Sequence, residues 1–234
     1  MRRLPTLLIA LAATALLAGC GGGGGSSSTT AKAPAAVATT PAPTASVGGC
    51  KQVKPATPAK HDVPKPTKQD ALPADATAVV TLVTSCGPIT ITLDQKAQPK
   101  TASSFAYLVK KGFYDGLTFH RVVPNFVIQG GDPQGDGQGG PGYAIREQPP
   151  ADAQYTRGVV AMAKTQNEPA GTSGSQFFIV TAPDAGLPPD YAIAGKVTGG
   201  DQAVQQIAQV QTNPADEQPV QPVVIIKATL KVSQ

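Results

Sequence analysis

Short stretches in which apolar and polar residues alternate recur from about residue 77 to the end of the chain. Residues 89–93 alternate with a period of two, which is typical of a strand with one buried and one solvated face. Similar runs, rich in β-branched and aromatic residues, predict further strands. They cover residues 78–84, 117–128, 158–162, 176–181, 191–197 and 223–232.

Two stretches have helical spacing instead. In residues 101–111 the apolar positions recur at the helical period, and Gly112 supplies a C-terminal stop. A second helix is predicted after Asp201 as its N-cap, with Val204 and Ile207 on its buried side. Many short strands with two isolated helices indicate a mainly β fold, a barrel or a sandwich. A doubly wound fold would need alternating strands and helices.

The first 19 residues have the features of an export signal. Arg2 and Arg3 precede an apolar stretch over residues 7–18, which is too short to span a membrane as a helix. The stretch ends in Leu17-Ala18-Gly19-Cys20, which resembles the bacterial lipobox, where the cysteine becomes the lipid-modified first residue of the mature protein. We therefore expect lipidation at Cys20 and anchoring in membrane lipid. The alternative is an ordinary secreted protein with a cysteine near its cleavage site.

Residues 20–76 are predicted to form a disordered linker. They have no periodic apolar pattern and are rich in Gly, Ser, Ala, Pro and Thr, with several lysines in residues 51–70. The lysine-rich part could contact anionic lipid or cell wall, but a solvated spacer is the favoured interpretation. The folded domain is predicted to cover residues 77–234, a sufficient length for one core.

The distribution of charge excludes one class of partner. The chain has 19 Lys and Arg against 15 Asp and Glu, but the positive excess lies in residues 1–76. A folded nucleic-acid-binding domain carries its basic residues on the domain itself, so we expect no nucleic-acid partner. The sequence also has no run of about 20 apolar residues that would predict a membrane-spanning helix.

Cys50 and Cys86 remain as an even pair once Cys20 is lipidated. In an oxidising compartment such a pair favours a disulfide between the linker and the first strands of the domain. The alternative is a buried free thiol at Cys86 and an unpaired Cys50. Counting free thiols in the exported protein distinguishes the two.

Several motifs lack the context that their chemistry needs. Residues 135–140 match the glycine pattern of a dinucleotide site, but no helical pattern follows them. Residues 171–175 lack the last glycine of a nucleophile elbow, and His120 is the only histidine of the domain that a catalytic triad could use. Asp132 and Asp136 provide too few ligands for calcium, and no other group has metal-ligand spacing. We therefore predict no metal site and no cofactor.

Arg121 and Gln129 are the more informative polar residues. Both lie in residues 119–132, which are interpreted as a mostly apolar strand pair, and Gln176 precedes two aromatic residues in a second apolar stretch. Burying a cation costs free energy unless the cation is paired or solvated. Arg121 is therefore either a functional group or a side chain whose stem covers the sheet and whose head pairs with a carboxylate. Composition alone leaves both interpretations open.

These stretches resemble the signature blocks of the cyclophilin family of peptidyl-prolyl cis-trans isomerases. The resemblance extends in order over residues 77–234. Its blocks are Lys100 to Phe105, Gly112 to Asp115, Phe119 to Asp132, Gly137 to Gly140, Met162 to Ala163, Ser175 to Phe178 and Gly195 to Val197. It implies a closed, eight-stranded antiparallel barrel capped by two α-helices, with the active site on the outer face of the barrel.

The resemblance also implies roles for individual residues. Arg121 matches the catalytic arginine, and Phe126 and Gln129 are the other expected catalytic residues. The expected substrate-binding residues are Val127, Gly137, Ala163, Lys164, Gln176, Phe178, Leu187 and Tyr191. Gly186 stands where the cyclosporin-sensitive members have Trp, so weak cyclosporin binding is expected.

The implied function is the isomerisation of X–Pro bonds in exported proteins without a covalent intermediate. Expected partners are proline-containing polypeptides, and membrane lipid through the N-terminal anchor. The expected location is the cell membrane on its extracytoplasmic side, where the protein acts as a monomer. Two alternatives come from other classes. One is a proline-peptide binding module or holdase chaperone with little turnover, and the other is a structural surface lipoprotein that uses the barrel as a scaffold.

Overall fold

The computed structural model of the protein describes residues 49–234. The predicted signal peptide, Cys20 and the first part of the predicted linker lie outside the described residues. Within residues 49–234, no helix has both the length and the apolar character that crossing a membrane requires.

The described part is mainly β, with two α-helices. The helices are α1, Pro99–Lys110, and α2, Asp201–Ala208, and a short 3₁₀ helix covers Lys68–Asp70. The strands are β1 Thr77–Thr84, β2 Gly87–Leu93, β3 Arg121–Val123, β4 Val127–Gly130, β5 Ile145–Arg146, β6 Val159–Met162, β7 Thr172–Ser173, β8 Phe177–Val180, β9 Ile193–Gly199 and β10 Ile225–Ser233. The predicted mainly β fold with two helices is confirmed.

Eight strands form one antiparallel sheet in the order β10-β1-β2-β9-β6-β8-β4-β3, and β5 pairs with β7 separately. The sheet curls strongly into a half-barrel whose end strands are β3 and β10. The two ends approach through residues at or just before the start of each strand, where Phe119 N–H donates to Val223 O at 2.9 Å and Ile225 N–H donates to Leu117 O at 2.8 Å. Full closure of the barrel stays a prediction.

Two details of the predicted elements are wrong. Residues 117–128 do not form one strand, because a turn with Asn125 at a left-handed φ of 56° separates β3 from β4. Asn tolerates this conformation better than most residues, so the stretch folds back and β3 pairs with β4. The N-cap of α2 is Gly200, whose φ of 85° suits glycine, and Asp201 is the first helical residue.

Successive strand residues point to opposite faces of the sheet and so build two apolar clusters. Ile128 and Phe177 belong to the main core, which packs between the sheet and the helices. Their chain neighbours Val127 and Phe178 belong to a second cluster on the other face, which we call the outer cluster. Because β4 and β8 carry apolar residues on both faces, an apolar surface forms outside the main core.

Residues 50–76, which we call the strap, lie along the domain, which corrects the predicted boundary at residue 77. Leu72 is buried in the main core, and the His61 ring stacks on Phe113 with ring centroids 4.8 Å apart. Strap N–H groups donate to domain carbonyl oxygens in four pairs, Lys51 to Ser85, Ala56 to Gly116, Ala59 to Pro133 and Val63 to Pro141. Hydrogen bonds of an extended backbone need no apolar period, so composition could not reveal them.

The Cys50–Cys86 disulfide fixes the beginning of the strap, with an S–S distance of 2.07 Å. It joins residues 36 positions apart, so it limits the freedom of the unfolded chain. We expect its reduction to lower the free energy of unfolding by about 2–4 kcal/mol, measured by urea denaturation. The double variant Cys50→Ser, Cys86→Ser is the control, because reductant should not move its midpoint. Equal midpoints for oxidised and reduced wild type would contradict this expectation.

Candidate active site

A shallow groove of about 330 Å³ lies on the outer face of the sheet, over the outer cluster, and we call it the outer groove. It combines apolar walls with a few polar groups, an arrangement typical of ligand sites. Its lining residues are Arg121, Phe126, Val127, Gln129, Ala163, Lys164, Gln166, Phe178, Leu187 and Tyr191. All of them except Gln166 are residues for which the sequence predicts a role.

Strand pairing places the groups of the outer groove side by side. Arg121 lies opposite Gln129 in the β3–β4 ladder, and Gln129 lies opposite Phe178 in the β4–β8 ladder. Directly opposed residues of antiparallel strands share a face of the sheet, so the three side chains project together. The Nη1 atom of Arg121 lies 3.4 Å from Gln129 Oε1, which is a long hydrogen bond.

Three aromatic rings hold the apolar wall of the groove. Phe178 and Tyr191 meet edge to face with centroids 5.5 Å apart, and Tyr155 meets Tyr191 in the same way at 5.9 Å. The Tyr155 hydroxyl donates to Tyr191 O at 2.6 Å and accepts the Tyr191 N–H at 3.0 Å. Burial raises the pKa of Tyr155, so its hydroxyl keeps the proton that makes the first of these bonds. Tyr191 is thus fixed through both its ring and its backbone.

The Arg121 guanidinium is paired with a carboxylate and lines the outer groove at the same time. Its Nε atom donates to Glu217 Oε2 at 2.6 Å, while Nη1 faces Gln129. The side chains of Arg121 and Glu217 are 35% and 44% exposed, so water screens the pair. The pairing with a carboxylate that the sequence left open for Arg121 is therefore present, and its role as a functional group stays a prediction. The carboxylate binds one edge of the guanidinium, and the head remains at the groove.

Glu217 is a residue that the sequence analysis missed, and it lies in the loop between α2 and β10. Its φ of 60° is left-handed, a conformation that is uncommon for residues other than Gly and Asn. Its carbonyl oxygen accepts Val122 N–H at 2.9 Å, and its own N–H donates to Asn213 O at 2.9 Å. The loop is thus fastened to the edge of β3 beside Arg121. Glu217 and Arg121 are 96 positions apart, so no local pattern could have linked them.

Gln129 and Gln176 form a chain of amides at one side of the outer groove. Gln129 Nε2 donates to Gln176 Oε1 at 3.0 Å, and Gln176 Nε2 donates to the carbonyl oxygens of Gly137 and Gly139, both at 2.9 Å. Gln176 and Gly137 do not line the outer groove itself but an adjoining recess of about 260 Å³. The groove and the recess share Gln129, Ala163 and Lys164.

Lys164 lines the groove, but its ammonium group is surrounded by contacts with other protein groups. Its side chain is only 4% exposed, and its Nζ atom lies 3.4 Å from Asp190 Oδ2. The same Nζ donates to Glu168 O at 3.2 Å and lies 5.4 Å from the centre of the Tyr191 ring. These contacts compensate the charge of a nearly buried ammonium group. Lys164 therefore stiffens the wall between the groove and the recess.

The buried His120 and Ser173, the serine at the nucleophile position of residues 171–175, do not form a hydrogen-bonded nucleophile and base pair. Neither ring nitrogen of His120 has a hydrogen-bond partner among residues 49–234, and burial lowers the pKa of this histidine. Ser173 Oγ likewise has no partner among these residues, and the neighbouring Ser175 hydroxyl donates to Gly131 O at 2.7 Å. The arrangement gives no support to the hydrolase interpretation that the sequence analysis also rejected.

Comparison with known proteins gives one consistent result. The sequence profile described as "Cyclophilin type peptidyl-prolyl cis-trans isomerase/CLD" matches residues 79–230. The chain is 42% identical over 153 residues to the Homo sapiens protein "Peptidyl-prolyl cis-trans isomerase-like 1", which covers 64% of this chain and 90% of that protein. It is 35% identical over 176 residues to "Peptidyl-prolyl cis-trans isomerase-like 2" of Cryptococcus neoformans, which covers 73% of this chain but 30% of that relative's length.

A solved structure resembles the fold. It is a cyclophilin type peptidyl-prolyl cis-trans isomerase of Cryptosporidium parvum, crystallised in the presence of the dipeptide Ala-Pro. The similarity has a TM-score of 0.61 at 29% sequence identity, and it covers 67% of this chain and 99% of that one. The strap residues 50–76 precede the stretch that the family profile matches.

Proposed function

This chain belongs to the cyclophilin type peptidyl-prolyl cis-trans isomerase family, and from this membership we propose that it accelerates cis-trans isomerisation of X–Pro bonds at the outer groove. The observation that carries the proposal is the position of Arg121. Its guanidinium stands beside Gln129 and the apolar walls formed by Phe126 and Phe178, in one groove. A proline ring fits the apolar wall, and its amide then lies within reach of the arginine.

The chemistry needs a donor that acts on the twisted amide. Rotation about a peptide bond costs about 18–20 kcal/mol because amide resonance is lost. As the bond twists, the prolyl nitrogen regains a lone pair, and a guanidinium N–H can then donate to it. This interaction is weaker in the planar ground state, so it lowers the barrier. Arg121 can provide such a donor because Glu217 occupies Nε and leaves the Nη atoms at the groove.

Arg121 alone does not account for efficient turnover. Shortening the exchange time from about 10 s to about 1 ms corresponds to a rate factor near 10⁴, or about 5.5 kcal/mol. One charge-assisted hydrogen bond contributes about 1.5–3 kcal/mol. The remainder comes from the dry apolar wall around the ring and from Gln129 and Gln176, which hold the flanking peptide groups while one side of the bond rotates.

The proposed location is the extracytoplasmic side of the cell membrane, where the clients are exported proteins. The lipobox-like sequence ending in Cys20 supports a lipid anchor, and the Cys50–Cys86 disulfide is typical of an oxidising compartment. Gly186, at the position where cyclosporin-sensitive members have Trp, supports weak cyclosporin binding. Globomycin treatment of the producing cells tests the anchor, because a lipoprotein precursor then accumulates with its signal peptide uncleaved.

The experiment that tests the function is exchange NMR on an Ala-Pro peptide, together with a protease-coupled isomerisation assay. We expect the full chain to accelerate cis-trans exchange. A binding module or holdase chaperone would shift the peptide resonances without accelerating exchange, and a structural scaffold would do neither.

The variant Phe126→Ala distinguishes the contribution of Phe126 to substrate binding from its contribution to the isomerisation step. Phe126 is half-buried against the outer cluster and lines the apolar wall, so its loss removes ring contacts that substrate and transition state share. We expect KM to rise about tenfold or more, with kcat reduced much less, because uniform binding affects KM. Val220→Ala, an exposed apolar residue outside the outer groove, is the control and should leave both constants unchanged.

A further inference from the structure

A second groove, of about 810 Å³, lies between the strap and the beginning of α1, and we call it the basic groove. Its floor has apolar groups from the strap and from β5. These are Pro66, Ala71, Leu72, Ala74 and Ile145. Its rim carries positive side chains from three parts of the chain, the strap, the segment around the start of α1, and β5. They are Lys65, Lys68, Lys96, Lys100 and Arg146.

These positive charges have no carboxylate partner. None of the five rim residues forms an ion pair among residues 49–234. Two carboxylates lie nearby, but both are used by backbone N–H groups. Asp70 accepts Thr67 N–H at 2.8 Å, and Glu147 accepts the N–H groups of Lys100 and Thr101 at 3.1 and 2.7 Å. These bonds come from neutral groups and leave both carboxylates charged, so the five cations together with Asp70, which lines the groove, and Glu147 beside it give a local net charge of about +3.

The concentration of charge is local. The described part contains all 15 acidic residues of the chain and all of its 19 Lys and Arg except Arg2, Arg3 and Lys32, so it is nearly neutral as a whole. Five cations without an ion pair, against the two carboxylates Asp70 and Glu147, thus give one concave surface a positive excess that the described part as a whole lacks. Such a surface attracts an anionic partner at low salt.

One wall of the basic groove lies outside the stretch that the family profile matches. The strap residues that form one of its walls precede residue 79, where the match to the family profile begins. The opposite wall comes from α1 and β5, inside the matched domain. The groove exists because the strap is held against the domain by the hydrogen bonds and the disulfide described above.

The basic groove lies next to the recess that adjoins the outer groove. Tyr143 and Ala144 line the recess, and the following residues Ile145 and Arg146 line the basic groove. The hydroxyl groups of Tyr143 and Ser104 lie 3.0 Å apart, and Ser104 lines the basic groove. This hydrogen bond therefore connects the wall of the recess to the wall of the basic groove. The basic groove, the recess and the outer groove are therefore successive neighbours on the surface.

We propose that the basic groove docks an acidic, extended segment of the client polypeptide while a proline of the same client occupies the outer groove. The inference rests on the proposed function for its choice of partner. The apolar floor and the concave shape favour a peptide, whose side chains fill a groove, over the flat surface of a membrane. Clients with a Glu- or Asp-rich segment near the target proline are the preferred substrates.

The first test measures binding without isomerisation. A fluorescein-labelled, proline-free peptide rich in Glu and its Gln counterpart are titrated with the full chain by fluorescence anisotropy. We expect the Glu peptide to bind at least tenfold more tightly at low ionic strength, with the difference lost at high salt. The variant K65Q/K68Q/K96Q/K100Q should abolish the difference. The matched variant K51Q/K54Q/K196Q/K231Q removes as many exposed lysines outside the groove and should retain it.

The second test measures turnover on Ala-Pro peptides that carry a Glu-rich or a Gln-rich tail. We expect a KM about tenfold lower for the Glu-rich peptide, with the difference lost in the groove variant and kept in the matched variant. Equal loss in both variants, or equal binding of both labelled peptides by wild type, overturns the docking proposal. So does binding of phosphatidylglycerol vesicles, and not of peptide, that depends on the groove lysines. Because the first test needs no proline, a lack of isomerase activity would refute the proposed function alone.

Discussion

Replacing Arg121 by Ala is expected to lower kcat for an Ala-Pro peptide by roughly 10- to 100-fold. The factor corresponds to the loss of one charge-assisted hydrogen bond of about 1.5–3 kcal/mol in the twisted state. KM should change little, because the guanidinium interacts weakly with the planar amide of the ground state. The side chain is 35% exposed, so its removal leaves no sealed cavity and the fold should persist.

Two further variants make the Arg121 result specific. Arg121→Lys should recover little activity, since a single ammonium group cannot both pair with Glu217 and reach the prolyl nitrogen at the groove. Arg157→Ala removes an exposed arginine that does not line the outer groove, and it should behave like wild type. A protease-coupled assay supplies kcat and KM for each protein. Wild-type turnover by Arg121→Ala would exclude the role assigned to this residue.

The sequence predicted the groove residues through their resemblance to the cyclophilin signature blocks. Arg121, Gln129 and Phe178 share a face because their strands pair in the observed register, with Ile128 and Phe177 turned into the main core. A wrong register by one residue would bury the polar pair, at a high cost in free energy. Strand pairing therefore places on one face the side chains that the resemblance implies.

The parts that the sequence did not predict depend on contacts without a period. The strap was interpreted as a spacer because an extended backbone that donates to carbonyl oxygens has no hydrophobic signature. The turn at Asn125 lies within an apolar stretch that looks like one strand, and only the left-handed φ divides it. Glu217 reaches Arg121 from a distant loop. Tertiary placement decides each of these features.

Glu217 positions Arg121, and its removal should lower kcat without destabilising the fold. Glu217 has a left-handed φ of 60°, which costs a non-glycine residue about 1–2 kcal/mol. Asn tolerates this conformation better, but its shorter side chain does not reach Nε of Arg121. We expect Glu217→Asn to unfold in urea at the wild-type midpoint or slightly above it, while kcat falls about three- to tenfold, because the guanidinium is no longer held in one orientation.

An unchanged or raised stability together with a lower turnover distinguishes positioning from a structural role. A residue that only supports the loop would lower both quantities together, or neither. Asp216→Asn is the matched control, since it removes a neighbouring carboxylate that bonds Gln218 N–H rather than Arg121, and it should keep wild-type kcat. Glu217→Gln retains an oxygen that can accept from Nε and should restore part of the lost turnover.

In the background Arg121→Ala, Glu217→Asn should have no further effect on kcat, because the two residues act through one guanidinium. An additive loss in the double variant would mean that Glu217 acts on the substrate by another route.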